Sequence, residues 1–368
     1  MEQLTVIHCT NCHLPYPEEG TPYRCPRCGG LFDFATPFVY DPARVDSEQP
    51  GIWRYCHALG LPENAPVVSL GEGRTPLVWA QAFNMQVAFK CEYQNPSGSF
   101  KDRGSATLIS FLRSRGVVSA VEDSSGNAGA SFAAYAARGG IKASIYVPES
   151  TSGPKYQQIK AYGAELVSIP GPRSNAADAA RRAADEGVVY GSHAHLPFNL
   201  PGYATAAYEI VEQLGSAPGT VIVPAGQGGL LLGMARGFDA LLRAGALDKM
   251  PVLAGVQARA CAPLWALFSY GPAGLGWVAE GQTLAEGIRV SHPLRGDALI
   301  QTLTVHKGML LAVDEEEILP GREALARLGF YVEPTSAVVW SALEQVNGRV
   351  PEPVVAVLTG SGLKWSGN

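Results

Sequence analysis

Along this chain, short apolar runs alternate with longer runs of small or amphipathic residues. Residues 117–123 (VVSAVED) have the length and β-branched content of a strand, 127–138 (NAGASFAAYAAR) read as a helix of small residues, and 142–147 (KASIYV) as another strand. The same order continues with a helix over 154–162, a strand over 164–169, a helix over 175–186 and a strand at VVYGS. A second series follows, with helix 202–214, strand 219–224 (GTVIVP), helix 229–243, strand 251–256 and a last strand at 354–359 (VVAVLT). Apolar strands joined by helices predict parallel sheets covered on both faces, because each parallel connection needs a crossover that packs on the sheet. Two α/β lobes are expected, with the αβ unit as the only repeat and no long linker between them. The longest irregular stretch, 269–282 (SYGPAGLGWVAEGQ), reads as a surface loop near an opening.

Composition narrows the function classes. With 368 residues, 46% of them hydrophobic and 17% charged, the chain can bury two sizeable cores. Its 28 basic residues stand against 33 acidic ones, which offers no electrostatic footprint for nucleic acid or an anionic membrane. A small soluble partner fits better. MEQLTVIHCTNC lacks the charged-then-apolar pattern of a signal segment, and no apolar run has membrane-spanning length, so a cytoplasmic protein is expected.

Four of the seven cysteines form Cys9-x2-Cys12 and Cys25-x2-Cys28. Two such knuckles twelve residues apart have zinc-ribbon spacing, and Pro26, Gly29 and Gly30 permit the tight loops that bring backbone amides to thiolates. A closed, structural zinc site is the expectation, and a ribbon that keeps its cysteines without metal is the alternative. Cys56, Cys91 and Cys261 stand alone and read as buried hydrophobes.

Three glycine-bearing turns and one lysine carry the candidate chemistry. In VPAGQGGLLLGM an apolar strand runs into Gly226, Gln227, Gly228 and Gly229 and then a helix from Leu230, leaving unpaired amides at a helix start where an anion such as phosphate binds. Ser124, Ser125, Gly126 and Asn127 form a second strand-to-helix turn, with hydroxyls and amides suited to a carboxylate. Thr359, Gly360, Ser361 and Gly362 end the last strand and set a threonine hydroxyl at the open end of a sheet. Each turn alone reads equally well as ordinary βα punctuation. Lys101, within NPSGSFKDR, adds the amine that makes the set coherent. A lysine amine, a phosphate cradle, a carboxylate cradle and a strand-end hydroxyl are what pyridoxal phosphate and an amino acid require.

In this order the segments LGEGRTPL, NPSGSFKDRG, SSGNAGAS, GQGGLL, EPTSA and TGSGLK, behind the cysteine knuckles, resemble the fold type II pyridoxal-phosphate enzymes, most closely the threonine synthase family. The resemblance covers nearly the whole chain. It implies an α/β fold like the tryptophan synthase β subunit: two three-layer parallel-sheet lobes behind a zinc-ribbon-like segment. The implied boundaries are 1–38 for the ribbon, 39–94 with 203–368 for a larger cofactor-binding lobe, and 95–202 for a smaller lobe carrying Lys101 and the SSGN turn. It further implies that Lys101 joins the cofactor covalently and then moves protons at Cα and Cβ, that Gly226 to Leu230 hold the phosphate, and that Asn127 lies beside the phenolic oxygen. Ser124, Ser125, Gly126 and Asn127 would receive the substrate carboxylate, and Thr359 would meet the pyridine nitrogen. Asp102 and Arg103 are expected to anchor the loop, and Glu333 either lines the cofactor pocket or caps a helix. A homodimer and an amino-acid substrate are implied as well.

Two departures bear on the reaction. Members of the threonine synthase family usually carry an Asn-Ser pair and an arginine before the helix that follows the first lobe, whereas this chain reads SHAHLPFNLPGYATAAYEI, with His193, Ala194 and Asn199 at those places. His193 and His195 either replace the missing phosphate donors or pack at a strand end. Ser361 stands where a histidine is common. The resemblance therefore implies γ-elimination of phosphate from O-phospho-L-homoserine and addition of water at Cβ, with a threonine or serine ammonia-lyase or a β-replacement enzyme as the alternative. A non-catalytic protein that binds a partner through its ribbon is the third reading, and intact Lys101, Asn127 and Thr359 weigh against it.

Overall fold

A computed structural model describes residues 6–367 and divides into two compact units, one made of residues up to Gly73 and Lys101–Gly202, the other of Arg74–Phe100 and residues from Tyr203 onward.

The first unit is built on a parallel sheet of Ser119–Glu122, Lys142–Pro148 and Glu165–Ile169, in that spatial order. Its helices are Lys101–Ser114, Asn127–Gly139, Pro154–Ala161 and Arg173–Asp185. The alanine-rich helix Asn127–Gly139 ends where Gly140 takes φ +68°, a left-handed cap that a glycine adopts without side-chain strain. The strand expected at VVYGS shrinks to one parallel bridge between Val121 and Tyr190. Val121 donates to Val189 and accepts from Gly191, each at 2.8 Å. A side chain at Gly191 would run into the Phe132 ring at 2.4 Å, so the segment pairs briefly and turns away.

Residues 39–73 belong to this unit, where the sequence placed them with the larger lobe. Ile52, Trp53, Leu59 and Val68 are buried in one core with Leu108, Ile109, Phe132 and Ile145. Glu72 ties the segment down. Its wholly buried carboxylate accepts from Trp53 Nε1 (2.7 Å), Tyr135 Oη (2.7 Å) and the Leu70 amide (2.9 Å), which makes the LGEG motif a structural knot. Cys56 faces outward from the 3-10 segment Gly51–Ala58, whose Ile52, Trp53 and Tyr55 turn inward, so its expected burial is corrected. Cys91 and Cys261 are buried as expected.

The cysteine-bearing segment also packs within the first unit. Strands Ile7–Cys9 and Phe32–Phe34 pair antiparallel. Tyr16 meets the rings of Phe111 (6.0 Å) and Phe198 (5.2 Å) edge-on, and Arg24 pairs with Asp185 at 2.7 Å.

The second unit holds a six-stranded sheet in the order Met309–Val313, Val252–Ala258, Thr220–Pro224, Val354–Val357, Met85–Lys90 and Leu77–Ala82. The first five strands are parallel and the last pair is an antiparallel hairpin. Its turn sets Phe83 (φ +49°) and Asn84 (φ +65°) in the left-handed region, as a two-residue hairpin demands, and the Phe83 ring packs 4.8 Å from Trp340. That contact compensates a conformation uncommon for a bulky residue. Residues 269–282 are less irregular than expected. They contain the end of the helix Pro263–Tyr270 and the 3-10 segment Gly271–Trp277, where Tyr270 lies 5.5 Å from Trp277 and from Trp265.

Candidate active site

In the first unit, Lys101 is the first residue of the helix Lys101–Ser114 and is half-buried. Burial lowers its ammonium to about 8; the Glu122 carboxylate opposes that shift, and the Arg173 guanidinium adds to it. Asp102 and Arg103 are wholly buried, and Asp102 accepts a 2.6 Å hydrogen bond from Ser131 Oγ. Both lie in the interior, in keeping with an anchoring role.

The SSGN turn follows the strand Ser119–Glu122 and starts the helix Asn127–Gly139 with Gly126 as its N-cap. The Ser124 amide donates to Glu122 Oε2 at 2.5 Å and the Gly126 amide to Ser124 Oγ at 3.2 Å. Two of the donors expected to face a carboxylate are thus engaged within the turn. Gly129 presses the helix onto it, since a Cβ there would sit 1.8 Å from the Ser124 carbonyl oxygen.

Glu122, which no motif in the sequence marks, ends the strand before the SSGN turn. Its other oxygen lies 2.6 Å from His193 Nδ1, across 71 positions of sequence. Burial pushes the Glu122 carboxyl up to about 7 against the Ser124 amide and the cations that pull it down. It lowers the His193 imidazole well below its usual value, with Lys101 acting in the same sense and Asp123 opposing. Asp123 is raised as well, by burial first and by Glu122 second, while Tyr190 Oη donates to it at 2.8 Å. Asn199 donates from Nδ2 to the His193 carbonyl at 2.5 Å, and its Oδ1 has no hydrogen-bond partner among the described residues. The structure therefore brings His193 and Asn199 together and sets His195 apart from them. The His195 ring packs 5.2 Å from Tyr23 and 5.5 Å from Tyr190, with Nδ1 3.1 Å from Ser192 Oγ.

In the second unit, Thr220–Pro224 runs into Gly226, Gln227 and Gly228, and the helix Gly229–Arg243 follows with no side-chain cap on its first amides. Gly228 has φ +78°, and a Cβ on it would press to 2.6 Å from Leu299; at Gly226 a Cβ would lie 2.8 Å from the Ile288 backbone. Both positions thus require glycine. Gln227 turns its Oε1 to the Leu294 amide at 3.0 Å. Leu230 is buried behind the turn. Thr359 is buried two residues beyond the strand Val354–Val357, and its hydroxyl lies 3.0 Å from Ser336 Oγ, which also receives the Gly360 amide at 2.8 Å. Glu333 is the buried first residue before the helix Pro334–Val346, and its side chain makes no capping hydrogen bond. The EPTSA motif thus contributes Ser336 to the strand-end hydroxyl pair, a partnership separated by 23 positions of sequence.

The first unit thus offers a half-buried lysine of lowered basicity, and the second, taken by itself, a glycine turn opening an uncapped helix and a buried hydroxyl pair. The family model described as pyridoxal-phosphate dependent enzyme matches residues 68–360. The chain belongs to the pyridoxal-phosphate-dependent enzymes. Within them it falls in the threonine synthase family: it is 32% identical to the threonine synthase of Methanocaldococcus jannaschii, over 97% of this chain and 92% of that protein. It is 34% identical to the threonine synthase of Synechocystis, over 83% and 81% of the two chains. Among solved structures, this pyridoxal-phosphate enzyme is similar to a threonine deaminase from T.th., with TM-score 0.67, 27% identity and coverage of 80% of this chain and 94% of that one. It shares its fold with maize serine racemase at TM-score 0.67 and 22% identity, over 78% and 88% of the chains. Among the described residues, no helix is long and apolar enough to cross a membrane.

Proposed function

We propose that this enzyme is a threonine synthase, converting O-phospho-L-homoserine and water to L-threonine and phosphate. The observation that carries the reading is likeness to a threonine synthase along 97% of the chain, cysteine-bearing segment included. In this reading Lys101 links the cofactor and afterwards acts as the mobile base. A pKa near 8 suits that work, since an amine that is partly neutral at physiological pH both takes and returns protons at Cα and Cβ. Bound pyridoxal phosphate supplies the electron sink that makes a proton at Cα removable. The amides from Gly226 to Leu230, uncapped by any side chain, hold its phosphate, and Gln227 braces that turn through the Leu294 amide. Asn127 would hold its phenolic oxygen, and Thr359, held by Ser336, would offer the ring nitrogen a neutral partner. Such a partner favours elimination over transamination. Ser124, Ser125, Gly126 and Asn127 orient the substrate carboxylate, and the Ser124 and Gly126 amides have partners inside the turn.

The four sulfurs of Cys9, Cys12, Cys25 and Cys28 lie within 4.8 Å of one another, close to the spacing of about 3.8 Å that four thiolates take around zinc. They form a structural zinc site in this reading, and the working protein is a cytoplasmic homodimer. A second reading, an ammonia-lyase acting on threonine or serine, is favoured by Asn199 in place of the expected arginine and by the likeness to a threonine deaminase.

The test is phosphate release from O-phospho-L-homoserine by cofactor-loaded protein. Threonine should appear in step with phosphate, and Lys101→Ala should lose at least 10³-fold in kcat, on the order of what an essential covalent and proton-transfer lysine supplies. Ammonia and a 2-oxo acid from threonine, without phosphate release, would replace this reading by the second.

A further inference from the structure

We propose that His193 is a catalytic acid for the departing group, with Glu122 and Asn199 as its positioning residues. The inference deepens the threonine synthase reading and rests on it for the identity of that group.

The geometry is that of a carboxylate–imidazole pair. Glu122 is wholly buried at the end of its strand, and both its oxygens are committed, Oε2 to the Ser124 amide at 2.5 Å and Oε1 to His193 Nδ1 at 2.6 Å. The imidazole is therefore fixed in its ring plane through one nitrogen. Asn199 fixes its backbone through the His193 carbonyl. The remaining nitrogen, Nε2, belongs to a side chain that keeps 18% of its surface exposed, while its carboxylate partner keeps none. A buried carboxylate that orients an imidazole with one nitrogen left for chemistry is the arrangement by which histidines are made into directed acids and bases. The pair also lies close enough to Lys101 for each charge to move the other, so it stands within the electrostatic reach of the amine at which the reaction begins.

The proton inventory decides which role it has. One proton is shared between Glu122 and Nδ1 throughout. When a second proton is bound it sits on Nε2 and the pair is neutral overall; when that proton is lost the pair carries one negative charge. The charged groups around it are Lys101 and Arg173, which favour the loss, and Asp123, which opposes it, with Tyr190 hydrogen-bonded to Asp123. Only the neutral form accepts a phosphate group nearby without like-charge repulsion, and only that form has a proton to give. In the step, the electron pair left at Cβ when Lys101 takes its proton forms the Cβ=Cγ bond, the Cγ–O bond breaks with its electron pair leaving on the phosphate oxygen, and the Nε2 proton passes to that oxygen. Water then returns a proton to the pair.

Glu122→Gln is the informative variant. Glutamine keeps both hydrogen bonds, accepting from Ser124 and donating to Nδ1, and so leaves His193 neutral with hydrogen on Nε2, a very weak acid. His193→Gln should lower kcat for phosphate release about 100-fold, a typical worth of a general acid, with KM changed less than about threefold and the absorbance of bound cofactor unaltered. Wild-type kcat should decline as pH rises through the range near 7, and Glu122→Gln should lower kcat at least about tenfold and abolish that decline. Retention of kcat within twofold by His193→Gln, or an unchanged alkaline limb in Glu122→Gln, would overturn the proposal.

A second measurement needs no turnover. In 15N-histidine spectra of the cofactor-loaded protein, the His193 signal, assigned by its absence in His193→Gln, should show a neutral ring with Nε2 protonated at pH 5 and that proton lost near neutral pH, when the proton shared with Glu122 settles on Nδ1. A ring with Nε2 bare from pH 5 to 9 would overturn the proposal by itself. If wild-type protein releases no phosphate yet gives the expected spectra, the threonine synthase reading falls alone, and the same variants measured for ammonia release from threonine judge the acid.

Discussion

Glu122 sits where water cannot stabilise its charge, so its carboxyl keeps a proton up to about 7, above its ordinary 4.5. The folded state therefore binds a proton that the unfolded chain has released between those two values. Stability contributed by this group is fully present below about 4.5 and is lost as pH rises through 7. Replacing the acid by its neutral isostere removes that loss. Glu122→Gln should melt above the wild type at pH 8 and show a smaller advantage at pH 5, measured on cofactor-loaded protein; equal melting at pH 8 would show that burial does not hold the carboxyl protonated. The contrast with Lys101 explains what the sequence discloses at this scale. Lys101 is legible because its neighbours in NPSGSFKDR and the three glycine turns each imply a part of one chemistry. Glu122 is not, because the partner that gives it meaning lies 71 positions away and a single glutamate at a strand end carries no local pattern. His193 was legible only as a candidate, with His195 beside it; aromatic packing by Tyr23 and Tyr190 separates the two, and such contacts leave no mark in local spacing.

Whole elements were more legible than pairs of residues. The helix Asn127–Gly139 and the strand Lys142–Pro148 appear within a residue of their expected ends, because a run of alanines and an alternation of apolar positions are local signals. The hairpin of Leu77–Ala82 and Met85–Lys90 was missed, since its turn is Phe83-Asn84 and lacks the glycine that marks such turns. Gly129 shows how tertiary contact overrides propensity within an element. Alanine would favour the helix by about 1 kcal/mol. Its Cβ, however, would meet the Ser124 carbonyl oxygen at 1.8 Å, which forces main chain apart. Gly129→Ala should therefore destabilise the protein by about 1–3 kcal/mol, the range of overpacking substitutions, and weaken substrate binding by moving the SSGN turn. Denaturant unfolding and KM measured on the same preparation check both effects, and a more stable variant would mean that the helix start yields freely.

At the scale of the molecule, the cysteine-bearing segment is joined to chemistry through packing. Tyr16 meets Phe198 at 5.2 Å, Phe198 stacks on Phe111 with ring centroids 3.4 Å apart, and Tyr23 contacts both Tyr190 and His195 at 5.2 Å. These contacts bracket the segment that carries His193. Among the described residues, the segment's own core is Cys9, Cys25 and Phe32 with a few partly buried neighbours, too little to hold its shape without the four sulfurs clamped together. Zinc bound by those thiolates would make the clamp, and folding energy of this kind is lost on chelation. Removing the metal, or substituting Cys12→Ser, should lower the melting temperature by several degrees, since each kcal/mol is worth about 2–4 °C in a unit of 150–250 residues. It should also lower kcat for phosphate release more than it lowers cofactor occupancy, because the glycine turn proposed to hold the cofactor phosphate belongs to the other compact unit. Tyr16→Ala in zinc-loaded protein should reproduce the fall in kcat with the metal still bound. If both treatments leave kcat and melting unchanged, the segment is an appendage whose cysteines do nothing for the segment around His193.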